Sequence, residues 1–295
     1  MKEVEAGKIA ELLGVADKIH QEKEHKLIPG VLVGELGGPI WELVQLITNV
    51  LNETGEVLVK GGYPNLGAFV AEALKESEKV KHTPEEGGNP QCDFILERLV
   101  RAIPAFRDAA VIDGTPVYCF KKALLTIHAI ALRFGTQDPP PFFIPNTTNL
   151  PVFSDNVLPS MLVHLSVIDL STSVPSLHLR DLFPNAEKRE TLTELLSASP
   201  HEQSKDQSLK TSPKEGPILT TEQAFILRAS AIDACELIVD AAKSWPTEML
   251  ADREDIGWIK DITLPEIDAW IWAVAKDRAD YRALERFALR ATPYF

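Results

Sequence analysis

The chain has 295 residues, 45% of them apolar and 25% charged, the balance of a soluble globular protein long enough for one large or two ordinary domains. Its 30 Lys and Arg against 43 Asp and Glu leave a net charge of −13. A surface so negative repels phosphate backbones and anionic membranes, so neither a nucleic-acid polymer nor a membrane is an expected partner. Cys92, Cys119 and Cys235 show no CxxC or Cys/His metal spacing, and the charged start MKEVEAGKIAELLG has no signal-peptide core. These features point to a reducing, cytoplasmic setting without structural zinc or a membrane span.

Apolar residues recur at the 3.6-residue period along most of the chain. Val44, Ile47, Leu51 and Leu58 share a helix face between Trp41 and Lys60, and Leu96, Leu99, Val100 and Ile103 share another just before Pro104. Residues 75–92, polar and rich in Lys and Glu, read as a surface loop. Ala109 to Phe120 reads as a hairpin, AAVI and PVYCF flanking Asp113-Gly114. Phe120, Leu124, Ile127, Ala131 and Phe134 then form a helical stripe that ends at Gly135 and the run Pro139-Pro140-Pro141. An extended or looped stretch covers Phe142 to Asp155. Helical spacing resumes with Leu158, Met161, Leu162, Leu165 and Ile168, where Pro159 is tolerable in the first turn.

Residues 196–219, rich in Ser, Lys and Pro, are expected to form a disordered loop. Phe225, Ala229, Ile232, Cys235 and Val239 predict a buried helix. Thr263-Leu-Pro-Glu266 predicts the start of another, Thr263 capping the backbone and Glu266 reaching back, with the helix running from about Leu264 to Arg278. The pattern is that of a mainly α protein, a single helical globular domain with a small β-hairpin element.

No Gly-rich phosphate loop, HExxH, GxSxG or metal-ligand cluster is present in the sequence, so neither cofactor nor metal is expected. The informative residues are polar ones on apolar faces. Asp268 shares a face with Ile271, Trp272 and Ala275, so its carboxylate points inward beside an indole and needs donors. It either caps a neighbouring helix or pairs with an Arg, or it serves a site. Asp155, in Pro151-Val-Phe153-Ser-Asp155, either caps a helix beginning near Asn156 or faces a cleft. Lys121 and Lys122 read as a solvated pair, and Arg228 in FILRASAIDA as a packed stem paired with an acid such as Glu236. His128 and His164 read as core histidines, Trp270 and Trp272 as core tryptophans.

An ordered set of segments carries a resemblance. Val50-Leu-Asn-Glu-Thr-Gly55, Ile103-Pro-Ala-Phe-Arg-Asp108, Phe120-Lys-Lys122-Ala, Pro151-Val-Phe-Ser-Asp155 with Leu158-Pro159 and His164-Leu165, Leu227-Arg228-Ala, Asp268-Ala-Trp270-Ile-Trp272, and the ending from Arg290 to Phe295 together resemble the queuosine salvage proteins, which are queuosine 5′-phosphate N-glycosylases. The resemblance implies a glycosylase-like helical domain over 48–295, with 1–47 an N-terminal segment shortened relative to the family, since residues 1–40 hold no counterpart of its aromatic-rich NFxFW-type segment. The implied activity is hydrolysis of the N-glycosidic bond of queuosine 5′-phosphate, releasing queuine for tRNA modification. Queuosine 5′-phosphate and queuine are then the small-molecule partners, and no cofactor is required. The alternative is a non-catalytic queuine-binding or interaction protein of the same family that lost turnover with its N-terminal segment.

By the same resemblance Asp155 is the catalytic carboxylate, Phe153 the base-stacking aromatic and Asp268 the acid that reads the guanine-like edge. Pro151, Thr263, Leu264 and Trp272 are expected beside the base, and Lys121 and Arg228 are the candidates for the 5′-phosphate. Asp268, held ready for a ligand, is expected to have no internal partner.

Overall fold

The computed structural model describes residues 3–81, 88–184, 186, 188–197, 215–246 and 254–295. The chain opens with α1 (Ala6–Leu12) and an antiparallel hairpin of β1 (His20–Glu24) and β2 (Leu32–Leu36). Next, α2 (Pro39–Lys60) starts on Pro39, whose fixed φ suits a first helical turn. This helix runs through the boundary expected at 47/48, because its two halves serve different cores. Val44 packs with Ile9, Ala10 and Ile19, whereas Leu58 joins Phe69, Leu74, Ile95 and Leu99. The helices α3 (Leu66–Ser77) and α4 (Pro90–Ala102) follow, capped by the side chains of Asn65 and Asn89. They take up both ends of the stretch 75–92 expected to be loop. Residues 82–87 lie outside the described residues.

The expected hairpin is formed by β3 (Ala109–Ile112) and β4 (Thr115–Tyr118). Ile112 pairs with Thr115, and Asp113 and Gly114 take φ of 48° and 79°, the left-handed conformation that a two-residue primed turn needs. The helix α5 (Lys121–Phe134) stops at Gly135. After the irregular stretch come α6 (Val157–His164), α7 (Leu179–Leu182), α8 (Arg189–Ser197) and β5 (Glu215–Ile218). Most of the expected disordered loop, residues 198–214, lies outside the described residues, and its two ends are helix and strand.

The helix α9 (Thr221–Lys243) begins with a capping box of Thr220 and Gln223, and α10 (Leu264–Asp277) with the Thr263–Glu266 box read from the sequence. A short α11 (Ala279–Arg282) leads to β6 (Arg286–Ala288), which pairs in parallel with β5. At that crossing a Cβ on Gly216 would fall 1.9 Å from the Arg286 carbonyl oxygen, so the close approach requires glycine. The fold is thus mainly α with small two-stranded sheets, as expected.

Two apolar clusters decide where the site lies. One gathers Leu158, Met161 and Leu162 of α6 with Ala231 and Cys235 of α9 and Ile267 and Ile271 of α10. The other gathers side chains of α2 to α5. Residues 151–155 run along the seam, and the alternation of extended chain sends Val152 into the first cluster and Phe153 into the second. Burying side chains of this size contributes about 1.5–3 kcal/mol each, which pins the segment on both sides.

Candidate active site

Two helix faces form opposing walls. On α5, Lys121, Leu125, His128 and Leu132 recur at helical spacing, as do Pro265, Asp268, Trp272 and Lys276 on α10. Between them, with Phe153 and Asp155 from the extended segment, lies a cavity of about 430 Å³.

Asp155 is 4% exposed and held by four donors. Its Oδ1 accepts the backbone N–H groups of Val157 at 2.7 Å and Leu158 at 3.2 Å, the first turn of α6. Its Oδ2 accepts the indole Nε1–H of Trp272 at 3.1 Å and pairs with the Lys121 ammonium at 3.3 Å. Both readings left open by the sequence therefore hold at once, one oxygen capping a helix and the other meeting two cavity-lining side chains. The ammonium of Lys121, a candidate for the phosphate, is engaged with Asp155. Lys122, expected in solvent, donates from Nζ to the Pro293 carbonyl, and burial lowers its pKa, with Lys121 adding to the effect.

Asp268 is 7% exposed. Its Oδ2 accepts the Phe153 backbone N–H at 2.5 Å, and Oδ1 takes no hydrogen bond among the described residues. Burial pushes its carboxyl up to about 6, reinforced by nearby Asp155 and opposed by the Phe153 hydrogen bond and Lys121. The expectation of no internal partner is corrected here. The extended segment passes alongside α10 without a strand beside it, so the Phe153 N–H turns to this carboxylate. His128 completes the wall next to Phe153, with ring centroids 5.4 Å apart and tilted by 40°, and its Nδ1 lies 2.9 Å from Thr147 Oγ1. Burial holds its pKa below the usual imidazole range, opposed by Glu266.

Arg228 stands apart from the cavity and corrects another expectation. It is 0% exposed. Nη1 and Nη2 donate to Asp108 Oδ1 and Oδ2 at 2.7 and 2.5 Å, and Nε and Nη2 donate to the Ser154 carbonyl at 3.0 and 2.8 Å. Its guanidinium lies 4.6 Å from the centroid of the Phe295 ring and 5.0 Å from that of Phe225. A side chain so enclosed is no phosphate ligand, and its acid is Asp108, not Glu236. The reason is topological: α9 packs on the β3–β4 hairpin, beside which Asp108 sits. Since Ser154 separates Phe153 from Asp155, Arg228 holds both site residues through the main chain.

Thr263 and Leu264 border a different groove, with Asn149 and Glu236, and the Thr263 hydroxyl is taken up by its cap with Glu266. Pro151, half-buried, starts the extended segment away from the cavity lining. Trp270 and Trp272, both expected in the core, are exposed: Trp272 lines the cavity, and Trp270, two residues from both Asp268 and Trp272, points away from their shared face. Sequence reasoning missed the places of His128, Asp108 and Lys276. The spacing of His128 from Lys121 and Leu125 was available as a signal, as was the position of Asp108 at the end of a resembling segment.

Among the described residues no cluster of three or more His, Cys, Asp or Glu side chains could hold a metal ion, and no helix is long and apolar enough to cross a membrane. Fold and site define a class: a mainly α protein with an apolar cavity, at the seam of two cores, that carries two carboxylates with different hydrogen-bonding environments. The model of the queuosine salvage protein family matches residues 39–199, just over half of the chain, and the chain belongs to this family. Lys121, His128, Phe153 and Asp155 fall within the match, while Asp268 and Trp272 lie beyond it. No curated protein matches the chain at a significant level.

Proposed function

We propose that the protein acts in queuosine salvage as an N-glycosidase, using water to split queuosine 5′-phosphate into queuine and ribose 5-phosphate. The observation that carries this reading is the shared cavity of Asp155 and Asp268, one carboxylate held by four donors and the other by one. Family membership supports the role in queuosine salvage.

Breaking the bond from C1′ to the base nitrogen builds oxocarbenium character on the ribose, which a carboxylate fixed beforehand stabilises without reorganising. Asp155 takes that role, its orientation set by the α6 N-terminus, Trp272 and Lys121. The base is a 7-deazaguanine, with carbon where an ordinary purine offers a basic N7, so the protein must work on its guanine-like edge. The N1–H and exocyclic amine of that edge are donors, and an ionised Asp268 accepts them as a pair. Phe153 supplies an aromatic surface for the base, and Leu125 and Leu132 add apolar lining to the cavity.

The test is incubation of the purified protein with queuosine 5′-phosphate, followed by chromatography for free queuine. Release of queuine supports the proposal. Queuine binding without release marks the alternative, a non-catalytic queuine-binding member of the family, and absence of both rejects the assignment of the cavity.

A further inference from the structure

We propose that His128 is a specificity-determining residue that donates from Nε2 to the 6-oxo group of the bound base, so that His128 and Asp268 together recognise a 7-deazaguanine ring. The proposal rests on the reading of the cavity as a base site and goes beyond it by assigning the one acceptor of the guanine-like edge. That edge carries two donor groups and one carbonyl. An ionised carboxylate only accepts, so Asp268 serves the donors and leaves the carbonyl without a partner, which is unfavourable wherever binding strips that oxygen of its water.

The donors that line the cavity are few among the described residues. The Lys121 ammonium and the Trp272 N–H are both directed at Asp155. The Lys276 ammonium lies 5.6 Å from the Trp272 ring centroid, two turns along α10 from Asp268. His128 is the donor beside Phe153.

The tautomer follows from Thr147. This residue is buried, and its hydroxyl has His128 Nδ1 as its hydrogen-bond partner at 2.9 Å. A buried hydroxyl proton needs an acceptor, so Thr147 donates to Nδ1 and the ring proton resides on Nε2, which has no hydrogen bond among the described residues. Burial favours the neutral ring that this arrangement requires. A base lying on Phe153 then has the imidazole at one margin, tilted by 40° to the phenyl ring, and at another margin Asp268, bonded to the Phe153 main chain.

The experiment measures calorimetric affinities of 7-deazaguanine and of 7-deaza-6-thioguanine, which keeps both donor groups but replaces the oxygen with a poor acceptor. The parent protein is expected to bind the oxo form about tenfold more tightly, and His128→Phe, which keeps a planar ring without the donor, to lose that preference along with about tenfold of oxo affinity. Should His128→Phe fail to fold, Thr147→Val serves in its place. It removes the hydroxyl that fixes the tautomer, and the oxo preference should shrink several-fold. Unchanged preference in a folded variant overturns the assignment of His128 while the base site stands. Failure of the parent protein to bind either base overturns the base-site reading itself.

Discussion

Two buried carboxylates on either side of residues 153–155 are treated in opposite ways. Asp108 is matched: both oxygens take a guanidinium N–H from Arg228, and one also accepts the Lys121 backbone N–H that opens α5. Asp268 takes a single N–H, and burial raises its carboxyl to about 6. A buried charge with all its donors fixes geometry, whereas one short of donors is unfavourable until a ligand brings them. The contrast separates a frame from a receptor, and Ser154 joins them. Its carbonyl is held by Arg228, and its two neighbours line the cavity.

The largest effect should come from breaking the frame. Arg228→Met strands the Asp108 charge and the Ser154 carbonyl, and the expected loss of stability is about 3–5 kcal/mol, read from denaturant midpoints. Arg228→Lys should recover part of it, since an ammonium restores charge but not the two-pronged geometry. A variant with Met at 228 as stable as the parent would erase the distinction between the two carboxylates.

Turnover should respond next. Asp155→Asn keeps an Oδ1 acceptor for the Val157 and Leu158 N–H groups, so the α6 cap survives, but it removes the negative charge beside Lys121. Queuine release is expected to fall by about 10²–10³, roughly 2.7–4 kcal/mol of transition-state stabilisation, with queuine binding retained. Turnover close to that of the parent would reduce Asp155 to a helix cap.

Asp268 sharpens the comparison through pH. Its carboxyl titrates near 6 in the folded protein against an ordinary 3.8, so between those values the folded state holds a proton that the unfolded state has released. Its contribution to stability is therefore greatest on the acid side and declines as pH rises through that window, by at most about 3 kcal/mol. Binding runs the other way: the base edge needs the ionised form, so queuine affinity should drop up to about tenfold per pH unit below about 6. In Asp268→Asn, which keeps an oxygen for the Phe153 N–H, both pH dependences should flatten in melting and titration curves compared with the parent. A parent whose queuine affinity is level from pH 5 to about 7 would remove the ionised carboxylate from base recognition.

Elements were legible where local signals agreed. The helix α5 has an apolar phase and a terminal glycine, and α10 has a capping box and an inward stripe. The β1–β2 hairpin was not legible because His-Gln-Glu-Lys-Glu is exposed along its whole length and offers no alternation. Nor was β5–β6, a parallel pairing of segments some 70 residues apart whose register is set by their meeting and not by either sequence. The site divides in the same way. The Asp155 cap and the inward face of Asp268 are local properties, readable from a helix start and a helical phase. The bond from Arg228 to Asp108 joins residues 120 positions apart, whereas proximity in sequence points only to acids of the same helix such as Glu236. His128 was in phase with Lys121, but a single histidine on an apolar face looks the same whether it lines a core or a cavity.

Thr263 should give the smallest effect and the cleanest control. Expected both to cap α10 and to lie beside the base, it forms the cap and borders a different groove, accepting the Glu266 N–H while the Glu266 carboxylate takes both its N–H and its hydroxyl. Thr263→Ala should lower stability by about 1 kcal/mol, a melting-temperature shift of a few degrees. Queuine affinity should stay level, because Asp268 lies beyond the first turn and is held on its own side by the Phe153 main chain. Fraying at a helix terminus fades within that turn unless the following residues are loosely packed, and here Ile267 and Ile271 are buried in the core of α6 and α9. Loss of stability without loss of affinity would keep the cap and the receptor as separate parts of α10. A parallel fall in queuine affinity would mean that the cap also sets the position of Pro265 and Asp268 against the cavity.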